Sequence, residues 1–152
     1  MKEQGNARDS SEMNMKKRAA SQASNETGLT RVKDTNPETK PYWDACNEGK
    51  LMIQKCLDTG KHYYHPRSLS PFTLSNRTEW VQASGKGKIY TFSVMERANP
   101  PFTIAYVTLE EGTTMLTNIV DCDFSTLKIG QNVKVVFIAS EEGQKLPFFT
   151  PV

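Results

Sequence analysis

The 152-residue sequence lacks a long apolar run, has only three cysteines and has no apolar core near its start. No stretch approaches the roughly 18 apolar residues of a membrane-spanning helix, so a transmembrane role is excluded. Without a secretory signal, Cys46, Cys56 and Cys122 are expected to be reduced thiols of a cytoplasmic protein. The length allows one ordinary domain or two very small ones.

The main part of the sequence also lacks an excess of positive charge. Residues 41–152 contain eleven Lys/Arg and eleven Asp/Glu, whereas residues 1–40 contain eight and six, so the net charge of +2 lies in the amino-terminal segment. Binding to a nucleic-acid backbone depends on clustered cationic side chains. A neutral domain therefore disfavours generic nucleic-acid binding.

The amino-terminal segment, residues 1–37, lacks Phe, Trp and Tyr and is rich in Ser, Asn, Lys, Glu and Gln. Such a segment cannot bury enough apolar area to offset the entropy lost on ordering, which predicts a disordered tail. Met13 and Met15 are alternative translation starts, and the sequence alone does not choose between them and Met1.

A short helix is predicted where order begins. Thr39 is a suitable helix cap, Pro41 fits the first turn and Gly49 ends the helix. Two or three turns are not stable alone in water, so Tyr42 and Trp43 are expected to dock either on the rest of the chain or on a partner.

A β-hairpin follows, with predicted strands at 51–56 and 61–65 and a turn at 58–60. Residues 66–78 have turn formers and little periodicity, which predicts a loop or knuckle without a core of its own. Helix, hairpin and knuckle together define a predicted unit at 38–78.

From residue 79 onward the pattern is all β. The predicted strands are 79–84, 88–97, 103–110, 113–121, 132–139 and 144–149. Turn sequences at 85–87, 110–112 and 141–143 mark expected hairpin connections. Tyr90 and Phe92 are predicted as barrel residues rather than as platforms for stacked bases. Roughly 70 residues in this arrangement predict a five-stranded oligonucleotide/oligosaccharide-binding (OB) barrel at 79–152.

Seven segments of the sequence, in this order and spacing, resemble one known family. They are Pro-Tyr-Trp-Asp-Ala-Cys-Asn-Glu-Gly-Lys-Leu, Gln-Lys-Cys, His-Pro-Arg, Glu-Trp-Val, Ser-Gly-Lys-Gly-Lys-Ile-Tyr-Thr-Phe-Ser-Val, Leu-Lys-Ile-Gly-Gln-Asn-Val and Pro-Phe-Phe-Thr-Pro. Over about residues 38–151 the sequence is similar to the zinc-ribbon/OB-fold acyl-CoA-associated proteins. The resemblance implies a mainly β fold, with an amino-terminal helix, a rubredoxin-like ribbon and an OB barrel. It also implies a non-catalytic partner of thiolase-like enzymes, aldolase-type lyases or acyl-CoA hydratases.

The family's ribbon carries two C-x-x-C pairs, which bind zinc tetrahedrally. Here only Cys56 remains, because hydroxyl residues occupy the other three positions: Thr59, Ser70 and Thr73. Neutral hydroxyls are poor zinc ligands, and His62 and His65, three residues apart on a strand, would point to opposite faces. The sequence therefore predicts a degenerate ribbon without zinc.

Several residues are candidate contacts to a partner or to acyl-CoA. They are Tyr42, Trp43, Tyr63, His65, Arg67, Pro101 and Phe102. Arg67 offers a planar donor fork that suits carboxylate or phosphate, with a surface ion pair as the alternative. Phe102 follows a stiff Pro-Pro loop and either anchors an interface or caps the barrel.

The resemblance favours an accessory subunit in a hetero-oligomeric acyl-CoA-processing complex, with a thiolase-like enzyme that makes or breaks a carbon-carbon bond next to a thioester. The chain alone is expected to be inactive and to bind no cofactor, with acyl-CoA as a ligand of the complex. No motif orients a Cys/His pair for nucleophilic catalysis. The alternatives are a single-stranded nucleic-acid-binding OB protein and an auxiliary subunit of an acyl-CoA hydratase.

Overall fold

The computed structural model describes residues 36–152. The predicted tail at 1–37 lies outside the described residues except for Asn36 and Pro37, and both alternative start methionines lie outside them. The first element is helix α1, Lys40–Asn47, as predicted. No helix within residues 36–152 is long and apolar enough to cross a membrane.

Both ends of α1 have identifiable local causes. Thr39 is the N-cap residue, but its hydroxyl donates to the Asn36 carbonyl, at 3.1 Å, rather than capping the helix. At the other end Gly49 has a φ of +78°, and its amide donates to the Cys46 carbonyl at 3.0 Å. Glycine reaches this conformation without strain, which is why the helix stops there.

The predicted hairpin belongs to a three-stranded antiparallel sheet, the ribbon sheet. Strand β1 (Met52–Cys56) lies in the centre, between β2 (His62–Tyr63) and β3 (Thr78–Gln82). The second strand of the hairpin is shorter than predicted, and residues 66–77 form a knuckle without strands. The predicted strand at 79–84 forms as β3 and pairs with β1 along its whole length.

The second sheet has five antiparallel strands in the order β6-β5-β4-β7-β8. They are β4 (Lys86–Met95), β5 (Phe102–Leu109), β6 (Thr114–Asn118), β7 (Asn132–Ala139) and β8 (Lys145–Pro151). A bridge between Ile119 and Phe149 brings the two edges together, and the Val120 amide donates to the Phe149 carbonyl at 2.8 Å. The sheet thus curls into the OB arrangement, and the predicted mainly β fold class is confirmed.

One core joins the helix, the ribbon sheet and the barrel. Its buried side chains include Tyr42 and Cys46 from α1, Ile53 from β1 and Phe149 from β8. The amphipathic helix is stable because it buries this face against the sheets. Phe149 has no exposed surface and lies where the barrel edges meet.

The hairpin connection predicted at 85–87 is wrong, whereas those at 110–112 and 141–143 do join paired strands. Strands β3 and β4 belong to different sheets, so no hairpin links them. Gly87 instead lies within β4, where a Cβ atom would come within 2.7 Å of the Thr108 carbonyl oxygen. The glycine permits close approach of two strands rather than a turn.

Candidate functional site

The turn of the ribbon hairpin and the knuckle meet at the thiol of Cys56. This residue is wholly buried, and its sulfur lies 3.8 Å from the Thr73 hydroxyl. Hydrogen bonds to the Ser70 and Thr59 side chains lower the pKa of the Cys56 thiol to about 6, although burial opposes the shift. The four ribbon positions named from the sequence therefore converge, and we call Cys56, Thr59, Ser70 and Thr73 the thiol cluster.

The donor set of the thiol cluster does not fit zinc. Structural zinc binds thiolates and imidazoles, but three of these four donors are neutral hydroxyls. The Thr73 hydroxyl donates to Asp58 Oδ2 at 3.1 Å, and Asp58 forms an ion pair with Arg77 at 2.8 Å. Within residues 36–152, no three His, Cys, Asp or Glu side chains are grouped so that they could hold a metal. A zinc-free ribbon stays a prediction.

Neither histidine joins the thiol cluster. His62 Nδ1 lies 3.1 Å from the Glu111 carbonyl oxygen, on the turn between β5 and β6, and His65 is exposed. The Glu111 carboxylate also accepts a hydrogen bond from the Ser84 amide at 2.6 Å. His62 therefore helps to connect the ribbon sheet with the barrel.

The candidate contacts on α1 belong to a buried aromatic group. Tyr42 is only 2% exposed, and its ring lies edge-on to Trp43 and Tyr64, at centroid distances of 4.9 and 5.8 Å. Burial raises the pKa of Tyr42, and it raises the pKa of the neighbouring Cys46 thiol to about 12. Gln144 donates to the Trp43 carbonyl at 3.1 Å. The helix thus docks within its own chain.

Tyr63 lies at the base of the knuckle and is almost fully buried. Its ring packs edge-on against Phe72 with centroids 6.1 Å apart, and the Lys61 ammonium lies 5.5 Å from the Phe72 centroid. Burial raises the pKa of the Tyr63 hydroxyl, and a hydrogen bond with Thr78 opposes the shift. In the chain as described, this residue supports the knuckle from below.

Arg67 and His65 lie on the exposed side of the knuckle. The Arg67 amide donates to Gln54 Oε1 at 2.7 Å, while its guanidinium has no acidic partner within 4.0 Å among residues 36–152. The pKa of Glu38 is lowered chiefly by a hydrogen bond from Ser68, and the charges of Arg67 and His65 lower it further. The predicted alternative of a direct surface ion pair does not form here.

Pro101 and Phe102 lie at the opposite end of the barrel from the ribbon. Phe102 is half-buried at the start of β5 and pairs with Met95 on β4, while Pro101 is exposed. Phe102 begins β5 and Leu109 ends it seven residues later. Phe102 therefore lies about 24 Å from the turn that His62 contacts. The structure does not bring these two candidates together with the other five.

The outer face of β4, β5 and β6 carries exposed apolar side chains that sequence reasoning missed. Tyr90 is 67% exposed, on the same face as Lys86 and Lys88 before it, so its prediction as a barrel residue is wrong. Phe92 does pack against the core, as predicted. Tyr106 and Leu116 lie opposite each other on β5 and β6 and are about half exposed. A β-bulge resets the alternation of faces, and its position cannot be read from alternation alone.

Two family profiles match the chain in succession. Residues 43–69 match the profile described as "ChsH2, rubredoxin-like zinc ribbon domain", and residues 80–137 match "ChsH2, C-terminal OB-fold domain". The first covers most of α1, the ribbon hairpin and the start of the knuckle. The second covers most of the curled sheet.

Individual proteins give the same picture. A "DUF35 domain-containing scaffold protein" of Methanothermobacter thermautotrophicus is 35% identical over 102 residues, covering 62% of this chain and 77% of that protein. A "Probable enoyl-CoA hydratase alpha subunit" of Thermomonospora curvata is 26% identical, covering 76% of this chain but only 38% of the relative. Among solved structures, "Ltp2-ChsH2(DUF35) aldolase" matches with a TM-score of 0.68 at 26% identity, covering 76% of this chain and 95% of that chain.

Proposed function

The chain belongs to the DUF35 family, and from that membership we propose that it is a non-catalytic accessory subunit of an acyl-CoA-processing enzyme complex. The observation that carries the proposal is the similarity over three quarters of the chain both to a hydratase alpha subunit and to a chain of an aldolase structure. The chemistry would lie in the partner, an enzyme acting on CoA thioesters. The partner classes are thiolase-like, aldolase-like and hydratase-like.

The environment of the cysteines supports a non-catalytic role. Burial keeps Cys46 protonated, since its pKa is about 12, so it acts as a small apolar core residue. Although its pKa is lowered to about 6, Cys56 is wholly buried among hydroxyl groups, so a substrate cannot reach its sulfur. Nucleophilic cysteines are activated by an adjacent base, and within residues 36–152 no histidine is hydrogen-bonded to either thiol.

The knuckle is the proposed partner contact. Four large apolar side chains around it are between 45% and 76% exposed: Leu57, Leu69, Phe72 and Leu74. Leu74 also has a φ of +58°, a conformation that non-glycine residues rarely adopt. Exposed apolar groups of this size at one tip are typical of a protein interface, and Arg67 adds a polar group at its margin.

The experiment is mass spectrometry of proteins that co-purify with the tagged full chain from its native cells at moderate salt. We expect an enzyme of CoA-thioester chemistry in fixed stoichiometry, and its identity will distinguish the thiolase-like, aldolase-like and hydratase-like partners. Leu74→Asp should abolish recovery, whereas Ile129→Asp, an equally exposed position outside the knuckle, should not. Recovery of nucleic acid alone, or equal recovery with both variants, would contradict the proposal.

A further inference from the structure

Strand β3 of the ribbon sheet has one paired edge and one free edge. The Ala83 amide donates to the Leu51 carbonyl next to β1 at 2.8 Å, and because antiparallel pairing alternates, the odd-numbered residues of β3 face β1. The backbone groups of Thr78, Trp80 and Gln82 therefore point away from the sheet. Among residues 36–152, no strand pairs with this side of β3.

Strand β3 lacks the features that usually protect a sheet edge. Natural edges carry lysine, proline or a bulge, or are very short. The opposite edge of the ribbon sheet, β2, has only two residues and is soon followed by Pro66. In contrast, β3 has five residues without lysine, proline or a bulge, and its one charged residue, Glu79, forms an ion pair with Lys55 at 3.6 Å. The free edge is therefore suited to pairing with a further strand.

Strand β3 is complementary to a second copy of itself. In an antiparallel two-fold pairing centred on Trp80 or on Val81, the Trp80 and Gln82 amides of both copies meet free carbonyl oxygens, which gives four backbone hydrogen bonds. These two registers place Val81 or Ala83 of the other copy opposite Glu79. No like charges then face each other, and the Lys55 ion pair is kept.

Other registers of this pairing are less favourable. A pairing centred on Glu79 would place two carboxylates directly opposite each other, which destabilises a sheet. A pairing centred on Thr78 would need its amide, which already donates to the Asn76 carbonyl at 3.0 Å. A pairing centred on Gln82 would run past the end of β3 to Ser84, whose amide donates to a carboxylate at 2.6 Å. The free groups thus favour pairing about the middle of the strand.

We infer that the free edge of β3 is an interaction surface at which two copies of this chain pair, so that their ribbon sheets form one six-stranded sheet. A sheet of three short strands is near the lower limit for stability, and pairing extends it. The contact is the same on both copies and closes on itself, which gives a dimer rather than a filament. The inference goes beyond the proposed function, because β3 lies outside the knuckle and the pairing needs no enzyme partner.

The test is analytical ultracentrifugation of the full chain over a range of concentrations. We expect the average mass to rise toward that of two chains. Gln82→Pro removes the outward amide from both copies and should weaken the association by about tenfold or more, since each hydrogen bond contributes about fivefold. Gln82→Ala keeps this amide and is the matched control, which should associate within about twofold of the parent. An edge strand tolerates proline where the missing amide points away from the sheet.

Hydrogen exchange of the parent chain tests the same edge without a substitution. The Trp80 and Gln82 amides should become protected as the concentration rises. The Val81 amide, which faces β1, should be protected at every concentration. This measurement decides the question even if Gln82→Pro does not fold.

Four results would overturn the inference. The first two are a single-chain mass at every concentration and equal association of the proline and alanine variants. The third is fast exchange of the Trp80 and Gln82 amides in the associated chain, which would place the contact elsewhere. The fourth is protection of these two amides that does not depend on concentration, which would show that the edge is covered within one chain.

Discussion

Replacing Thr59, Ser70 and Thr73 by cysteine should create a zinc site in the ribbon. A tetrahedral Zn–S distance of about 2.3 Å puts the ligand sulfurs about 3.8 Å apart. The Cys56 sulfur and the Thr73 hydroxyl oxygen are separated by 3.8 Å, so this pair already has the spacing that two of the four thiolates need. We expect the triple variant to bind one zinc per chain. At free zinc about 1,000 times its Kd, the free energy of unfolding should rise by about 4 kcal/mol.

The assay combines metal content after dialysis with urea unfolding in the presence and absence of zinc. The parent chain should retain no stoichiometric zinc, and a chelator should not change its unfolding midpoint. A control with cysteines at Ser68, Ser75 and Ser84 adds three thiols outside the thiol cluster and should not gain stability from zinc. Two results would refute the reasoning: a triple variant that binds no zinc, or a parent chain that keeps one zinc through dialysis.

Three further predictions concern stability. Phe149→Ala should lower the free energy of unfolding by about 3–5 kcal/mol, because it leaves a cavity where the barrel edges meet. A loss below about 1 kcal/mol in urea unfolding would contradict this role of Phe149. Gly87→Ala should lower the free energy of unfolding by about 1–3 kcal/mol in the same assay, since its Cβ would collide with the backbone of the neighbouring strand. An unchanged urea midpoint would show that the two strands can separate there. The pKa of Cys56 falls from an ordinary 9.0 to about 6 on folding, so its contribution to stability is present above pH 9 and is lost as the pH falls to 6. As the pH falls from 9 to 6, the urea midpoint of the parent should fall relative to the midpoint of the Cys56→Ser variant. If the two midpoints change with pH in parallel, Cys56 is not a thiolate in the folded chain.

The parts of the fold that follow from neighbouring residues could be predicted from the sequence. Pro41 and Gly49 mark the ends of α1 because their backbone preferences act within a single turn. Alternating polar and apolar residues located the strands of the barrel, since each strand has one buried face. The convergence of the thiol cluster was inferred from a family pattern, and the structure then placed Cys56 against Thr73.

The parts that depend on distant residues could not be predicted. Whether β3 joins the ribbon sheet or the barrel is decided by pairing with β1, more than twenty residues earlier. Lys86 and Lys134 lie opposite each other only because β7 pairs with β4, which brings together residues almost fifty positions apart. Tyr90 and Phe92 were predicted to share a face, but the register shift between Ile89 and Thr91 turns Phe92 toward the core and leaves Tyr90 outside.

Glu111 connects the two sheets through both its backbone and its side chain. Its carbonyl oxygen lies 3.1 Å from His62 Nδ1 of the ribbon, and its carboxylate accepts a hydrogen bond from the Ser84 amide in the link between β3 and β4. The knuckle and the outer face of the barrel are therefore held on one framework rather than on a flexible tether. An enzyme that binds the knuckle would therefore meet the outer face of the barrel at a fixed place, so a second contact with that face would form at a high effective concentration. Modest affinity at each of the two surfaces would then suffice for a long-lived assembly.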